Sequence, residues 1–178
     1  PCPVSKPTND DIVTSFTYNG TGKTCDLAYD SSTMTISGNV ATNAGNYTAT
    51  ISLKDNKNYV WADGTTTSIE YSWSISPKTL IIPQIIGNNS FTYDGNVHGL
   101  SFDSFDSATM TISGNSETEV GNYTATISLK DTQNYMWSDS SIVPLKYNWE
   151  ISSKTTITIP TIKQQLFTYN GSEQNVYF

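Results

Sequence analysis

The sequence predicts an all-β protein built of tandem sandwich modules joined by short linkers, and three observations predict it. Long segments of the chain recur unchanged. Within each copy, apolar and polar residues alternate with the period of a strand. Turn-forming residues interrupt the copies at short, regular intervals.

The recurrence comes first, because self-similarity at a fixed period decides the architecture. Residues 33–39 (TMTISGN) return unchanged at 109–115, and residues 45–55 (GNYTATISLKD) return unchanged at 121–131. Both are shifted by 76 residues, as are the NYxWxD segments at 58–63 and 134–139 and the pair Trp73 and Trp149. The motif FTY[ND]G opens at Phe16, Phe91 and Phe167. These landmarks divide the chain into a first module over 1–76, a second over 77–152 and the start of a third over 153–178. The third copy breaks off with the sequence, so the expectation is a piece of a longer array.

Along each module the strands follow in order. The FTYNG strand ends at the NG turn of 19–20. In 33–37, Met34 and Ile36 alternate with Thr33, Thr35 and Ser37, and SGN turns the chain at 37–39. After AGN at 44–46, Tyr47, Ala49, Ile51 and Leu53 share one face of a strand, while Thr48, Thr50, Ser52 and Lys54 share the other. A DG turn at 63–64 precedes the last strand, which places Ile69, Tyr71, Trp73 and Ile75 inward. Its copy places Leu145, Tyr147, Trp149 and Ile151 inward. Outward-facing Glu70 becomes Lys146, a charge reversal that a solvated face tolerates and a functional site does not. Where the first module has ADGT (62–65) the second has SDSS (138–141), so the last hairpin turn is expected to differ.

Trp73, Trp149, Tyr47 and Tyr123 are thereby assigned to the core. A module of roughly 75 residues buries only a modest share of its surface, and large aromatic side chains compensate. No segment has an apolar 3.6-residue period long enough for a helix. The joints, residues 76–78 and 152–154, are short; the first carries Pro77 and is expected to be stiff.

Composition excludes some functions. The 178 residues carry a net charge of −7, with no arginine among the 9 basic residues. Nucleic acid as a partner needs clustered basic residues, and they are missing. No apolar run reaches the ~18 residues of a membrane span, so no membrane insertion of this segment is expected.

The motif set FTYNG, TMTISGN, AGNYTATISLKD, NYxWxDGT and YSWSIS resembles the tandem Ig-like repeats of bacterial surface proteins, common in cell-wall-anchored proteins of low-GC Gram-positive bacteria. The resemblance covers both complete modules and the trailing fragment. It implies an Ig-like β-sandwich, extracellular and displayed at the bacterial cell surface, with no catalytic role. Some related repeats are β-grasp-like, which stands as the alternative fold. In an extracellular setting Cys2 and Cys25 are candidates for a disulfide, with stabilisation of about 3–3.5 kcal/mol from loop closure; pairing of Cys2 upstream is the alternative.

Catalysis finds no foothold: His98, the one histidine, has no counterpart in the first module. Asp55/Asp131 and Asp63/Asp139 do repeat, at strand ends and turns, where capping is the ordinary role of aspartate; the other reading, a bound cation, lacks a DxDxDG loop. No metal and no cofactor is expected. Trp61 and Trp137 are either core or flat platforms on which a glycan could stack. The sequons at Asn19, Asn46, Asn88, Asn122 and Asn170 are those that Asn-rich turns generate by chance. Lys54/Lys130 is the one lysine repeated within a motif, and its outward position argues against an isopeptide cross-link.

The leading expectation is therefore a non-catalytic spacer or stalk of an adhesin-like protein, whose partners are the neighbouring repeats of the same chain. The alternatives are an adhesion module that binds host glycan or a surface protein, and an Ig-like decoration of a phage or secreted enzyme.

Overall fold

The β-branched and aromatic residues that dominate the chain form strands and no helix in a computed structural model, which describes residues 1–8, 10, 12–154, 157–161 and 166–175. The protein is all-β. In chain order the strands of the first half are β1 (Cys2–Val4), β2 (Ser15–Thr17), β3 (Lys23–Thr24), β4 (Met34–Ser37), β5 (Val40–Ala41), β6 (Gly45–Leu53), β7 (Tyr59–Trp61) and β8 (Ile69–Ser76). Those of the second half are β9 (Lys78–Leu80), β10 (Ile85–Ile86), β11 (Ser90–Thr92), β12 (His98–Gly99), β13 (Ser101–Phe102), β14 (Met110–Ser113), β15 (Ser116–Glu117), β16 (Gly121–Leu129), β17 (Tyr135–Trp137) and β18 (Leu145–Ser152).

The main sheet of the first half has the order β2-β8-β6-β4, and that of the second half β11-β18-β16-β14. In both, the long central pair is antiparallel and the short first strand lies parallel to the last. Tyr47 stands opposite Trp73 and Ala49 opposite Tyr71; Tyr123 opposite Trp149 and Ala125 opposite Tyr147 repeat that register. Two smaller pairings also recur. β1 runs parallel to β7 with Cys2 opposite Tyr59, and β9 runs parallel to β17 with Lys78 opposite Tyr135. β3 pairs with β5 as β12 pairs with β15, and β10–β13 pair in the second half.

The alternation read from sequence becomes burial. On β6, Ala49, Ile51 and Leu53 are buried, and they pack with Met34, Trp73 and Ile75 against Trp61 of β7 and against Cys25 and Leu27. Every residue of this core, partly buried neighbours included, lies between Val4 and Ile75. The second half builds its core from Leu100, Ala125, Trp149 and Ile151 and from Met110, Ile127, Leu129 and Trp137. The tryptophan N–H groups all find carbonyls: Trp73 donates to Gly38 at 3.0 Å, Trp149 to Gly114 at 2.9 Å, Trp61 to Thr67 at 2.8 Å and Trp137 to Val143 at 2.9 Å. Burial of the ring therefore strands no donor.

Two expectations need correction, and one open alternative is resolved. The turns at 62–65 and 138–141 are the same turn: Gly64 has φ +80° and Ser140 has φ +66°, and Gly64 and Ser140 donate to Trp61 and Trp137 at 2.8 and 2.9 Å. The turn's own bonds hold Ser140 in a left-handed conformation that glycine adopts without cost. The Cys2–Cys25 bridge is not formed, and both are free thiols. Cys2 is exposed on β1, whereas Cys25 is wholly buried, and β1 is held by its backbone ladder to β7 with Cys2 N–H donating to Asn58 at 2.6 Å. Trp61 and Trp137 are both 0 % exposed, so neither offers a ring face to a sugar.

No helix among the described residues is long and apolar enough to cross a membrane. In the segment 153–178, residues 155–156, 162–165 and 176–178 lie outside the described residues. Positions 157–161 and 166–175 hold no strand.

Candidate functional site

The two halves meet through a single intervening residue. β8 ends at Ser76 and β9 begins at Lys78, leaving Pro77 alone between them. Proline fixes φ and contributes no N–H, so the short connection starts with little freedom. Lys78 N–H then donates to the carbonyl of Asn134 at 2.8 Å.

Asn134 is the centre of the joint. Among the described residues it is the single buried polar residue, at 4 % exposure. Its Oδ1 accepts the Ala44 N–H at 2.7 Å, and its Nδ2 donates to Asp131 at 2.7 Å and to Asn43 Oδ1 at 3.2 Å. Gln133 Nε2 donates to the Ala44 carbonyl at 3.2 Å. The rings of Tyr18 and Tyr135 meet edge to face, with centroids 5.5 Å apart. A carboxamide has one acceptor oxygen and two donor hydrogens, and this one uses both ends, so its burial carries no desolvation debt.

Local structure presents both sides. On the first half, Tyr47 donates its hydroxyl to the Asn43 carbonyl at 2.7 Å and holds the 43–45 loop in shape. On the second half, Asp131 caps the turn before β17, accepting from the Gln133 N–H at 3.0 Å and the Asn134 N–H at 3.1 Å. The Asn134 side chain, ahead of these backbone donors, holds the Asp131 carboxyl below its usual pKa. The joint borders an open cleft of about 300 Å³ walled by Gly45, Ser74, Pro77 and Gln133.

The other candidates serve the fold. Asp55 caps its turn through the Lys57 N–H at 2.8 Å and Asn58 Nδ2 at 2.6 Å. Asp63 accepts from Thr65 and pairs with Lys6, and Asp139 accepts the Ser141 N–H at 2.9 Å. No group of three or more His, Cys, Asp or Glu suited to a metal occurs among the described residues. Lys54 and Lys130 donate to the carbonyls of Ser31 and Ser107 on the exposed face. His98 stacks on Phe91 and meets Asp94 at 3.0 Å. Asn19 and Asn170 cap their own turns through Thr21 and Ser172. Tyr47 and Tyr123 are half-buried against Trp73 and Trp149, at 4.9 and 5.0 Å between centroids. Open polar grooves lie beside these pairs, about 420 Å³ next to Asn46 and Trp73 and about 220 Å³ next to Asn122 and Trp149. With Trp73 at 2 % and Trp149 at 3 % exposure, neither groove has an exposed indole face.

No family model matches the chain, and it matches no curated protein.

Sequence reasoning missed Asn43, Gln133, Asn134 and the Tyr18–Tyr135 contact. Asn58 and Asn134 occupy the same place in the repeated NYxWxD segment, so sequence gives no ground for singling out one. The available signal lay beside them, in Gln133 standing where the first copy has Lys57.

Proposed function

We propose that the chain is a non-catalytic structural spacer of an extracellular, adhesin-like protein of the bacterial cell surface. In this reading the units are Ig-like β-sandwich repeats over 1–76 and 77–152, with a third beginning at 153. The observation that carries it is the joint. A flexible tether between two binding domains would be long and rich in Gly and Ser. Here one proline separates the last strand of one half from the first strand of the next, and Asn134 bonds its backbone to β9 and its side chain to the 43–44 loop. Such a contact transmits orientation from repeat to repeat, which is what a stalk requires.

The reading as an adhesion module has less support. Its aromatic candidates, Trp61 and Trp137, are buried, and the repeated acidic residues cap turns. X-ray scattering on the chain tests the proposal. The spacer reading expects an extended distance distribution, with two repeats spanning about 60–80 Å from strand lengths and turns. A compact distribution with the halves side by side would remove its physical support.

A further inference from the structure

The order of strands in each main sheet sets how that half answers a pull along the chain. In chain order β2 is the first strand of its sheet and β8 the last, yet the two are neighbours and run parallel. Ser15 stands opposite Ser74 and Thr17 opposite Ser76. β11 and β18 repeat the arrangement, with Ser90 opposite Glu150 and Thr92 opposite Ser152. Both ladders run one residue past the first strand at each end. The Ser74 N–H donates to the Thr14 carbonyl at 2.8 Å, and the Tyr18 N–H to the Ser76 carbonyl at 2.9 Å. In the second half Glu150 donates to Asn89 at 3.0 Å and Tyr93 to Ser152 at 2.8 Å. Aromatic rings cover both ladders: Phe16 meets Trp73 edge to face at 5.9 Å between centroids, and Phe91 meets Trp149 likewise at 6.0 Å.

We propose that each half is a mechanical clamp, which lets the chain carry tension without unfolding. The inference rests on the spacer reading, since a stalk is what meets tension, and adds to it a resistance to force. A pull on the chain draws β2 back toward its own start and β8 forward past its own end. Because the strands are parallel, these two pulls are opposed along one shared ladder. The pair can part only by sliding, so its bonds are strained together. An antiparallel pair behaves otherwise. Gly45, at the start of β6, stands opposite Ile75 near the end of β8. A pull between those two ends peels the pair open one bond at a time. A single main-chain bond adds little net stability, so the sharing of strain makes the difference. The covering rings also keep water from replacing a bond as it stretches. Upstream attachments, β1 on β7 and the Pro7 carbonyl on the Tyr71 hydroxyl at 3.2 Å, take the pull first and pass it to β2 when they yield. Forced unfolding is governed by the barrier to unfolding rather than by equilibrium stability, and the direction of the pull selects that barrier.

Single-molecule force spectroscopy on the full chain, carrying Cys2→Ser so that no exposed thiol competes for the handles, tests this. Pulled end to end, the two halves should give two rupture events of comparable force. Each event should lengthen the chain by roughly 200 Å, the extended reach of residues 15–76 or 90–152. In a second arrangement the first handle moves to Asn46→Cys, an exposed position opposite Ser74. The second half is still sheared and serves as the reference, while the first half is now peeled. The first-half event should fall to well under half the reference force and lengthen the chain by only roughly 100 Å. The Asn46→Cys chain pulled end to end should rupture as the parent does, so that the fall reports direction. A first half that yields at the same force from both attachment points overturns the inference. Scattering on the resting chain reads the spacer proposal separately. A compact chain with direction-dependent rupture keeps the clamp and loses the spacer, and an extended chain without direction dependence does the reverse.

Discussion

Ala44 donates its backbone N–H to the side chain of Asn134 at 2.7 Å, across 90 positions of the chain. That bond separates two residues the sequence makes equivalent. Asn58 and Asn134 each bond to an aspartate three positions before, yet Asn134 alone is buried, because the 43–44 loop closes over it.

Asn134→Ala should therefore cost more than Asn58→Ala. Both lose the bond to aspartate, but only the first leaves the buried Ala44 N–H without an acceptor, a penalty of about 1–3 kcal/mol. Chemical denaturation of the two variants measures the difference. Equal losses would show that the joint adds nothing to stability.

Trp61→Ala should destabilise the first half by roughly 3–5 kcal/mol, as deletion of a buried large aromatic does. The indole is 0 % exposed and its N–H is bonded to Thr67. Since domains are stable by only about 5–15 kcal/mol, the variant sits near the threshold of unfolding. Trp61→Phe keeps most of the packing and should lose far less. A Trp61→Ala melting temperature within a degree or two of the natural chain would place the ring at the periphery.

Gly38→Ala and Gly64→Ala separate two costs. Both glycines have positive φ, +69° and +80°. A Cβ on Gly38 would lie 2.3 Å from the Thr48 carbonyl oxygen, whereas one on Gly64 would meet nothing within 4 Å. Gly64→Ala should then cost only the left-handed conformation, about 1–2 kcal/mol, and Gly38→Ala clearly more, because backbone has to shift. Thermal unfolding ranks them, and the reverse order would refute the geometry of the 37–39 turn.

Acid should destabilise the protein. Hydrogen bonds hold the carboxyls of Asp30, Asp55, Asp94, Asp131 and Asp139 below their usual pKa, the foremost donors being the Ser32 hydroxyl, the Lys57 and Asn96 backbone N–H groups, the Asn134 side chain and the Ser141 N–H. Lys6 does the same for Asp63. A carboxyl whose folded pKa is lowered binds fewer protons folded than unfolded, so its contribution is complete above the unfolded value of about 3.9 and disappears as pH falls through the folded value. The melting temperature should be nearly flat from pH 7 to about 5 and drop below about 4. A curve unchanged at pH 3 would contradict the turn-capping role.

The two thiols should behave differently. Cys2 is exposed and should react at once with a thiol reagent in the native protein. Cys25 is buried in the core, and burial, followed by the neighbouring Asp26 charge, raises its pKa. A buried thiol with a raised pKa is a poor nucleophile, so the second equivalent should appear only on unfolding. Two fast equivalents in native buffer would place Cys25 at the surface.

Much of this protein follows from the sequence alone. The repeat, the strand faces and the burial of Trp73 and Trp149 were legible because side-chain alternation and turn chemistry are local: period two tells which side of a strand is wet. It does not tell which strand lies alongside. The parallel pairing of β1 with β7 and of β2 with β8 joins segments more than fifty positions apart, and that choice belongs to the packed core. The same limit explains the cysteines. Composition and presumed setting suggested a bridge, while the fold put Cys2 on an exposed strand and Cys25 under the sheet. Ser140 lacked the glycine signal because its left-handed backbone is held by the hydrogen bonds of the turn itself, Ser140 N–H to the Trp137 carbonyl and Trp137 N–H to the Ser141 carbonyl. Asn58 and Asn134 show the limit most directly. Identical residues in a repeated motif have identical local preferences, and only the proximity of another part of the chain, here the 43–44 loop, makes one a buried joint and leaves the other exposed.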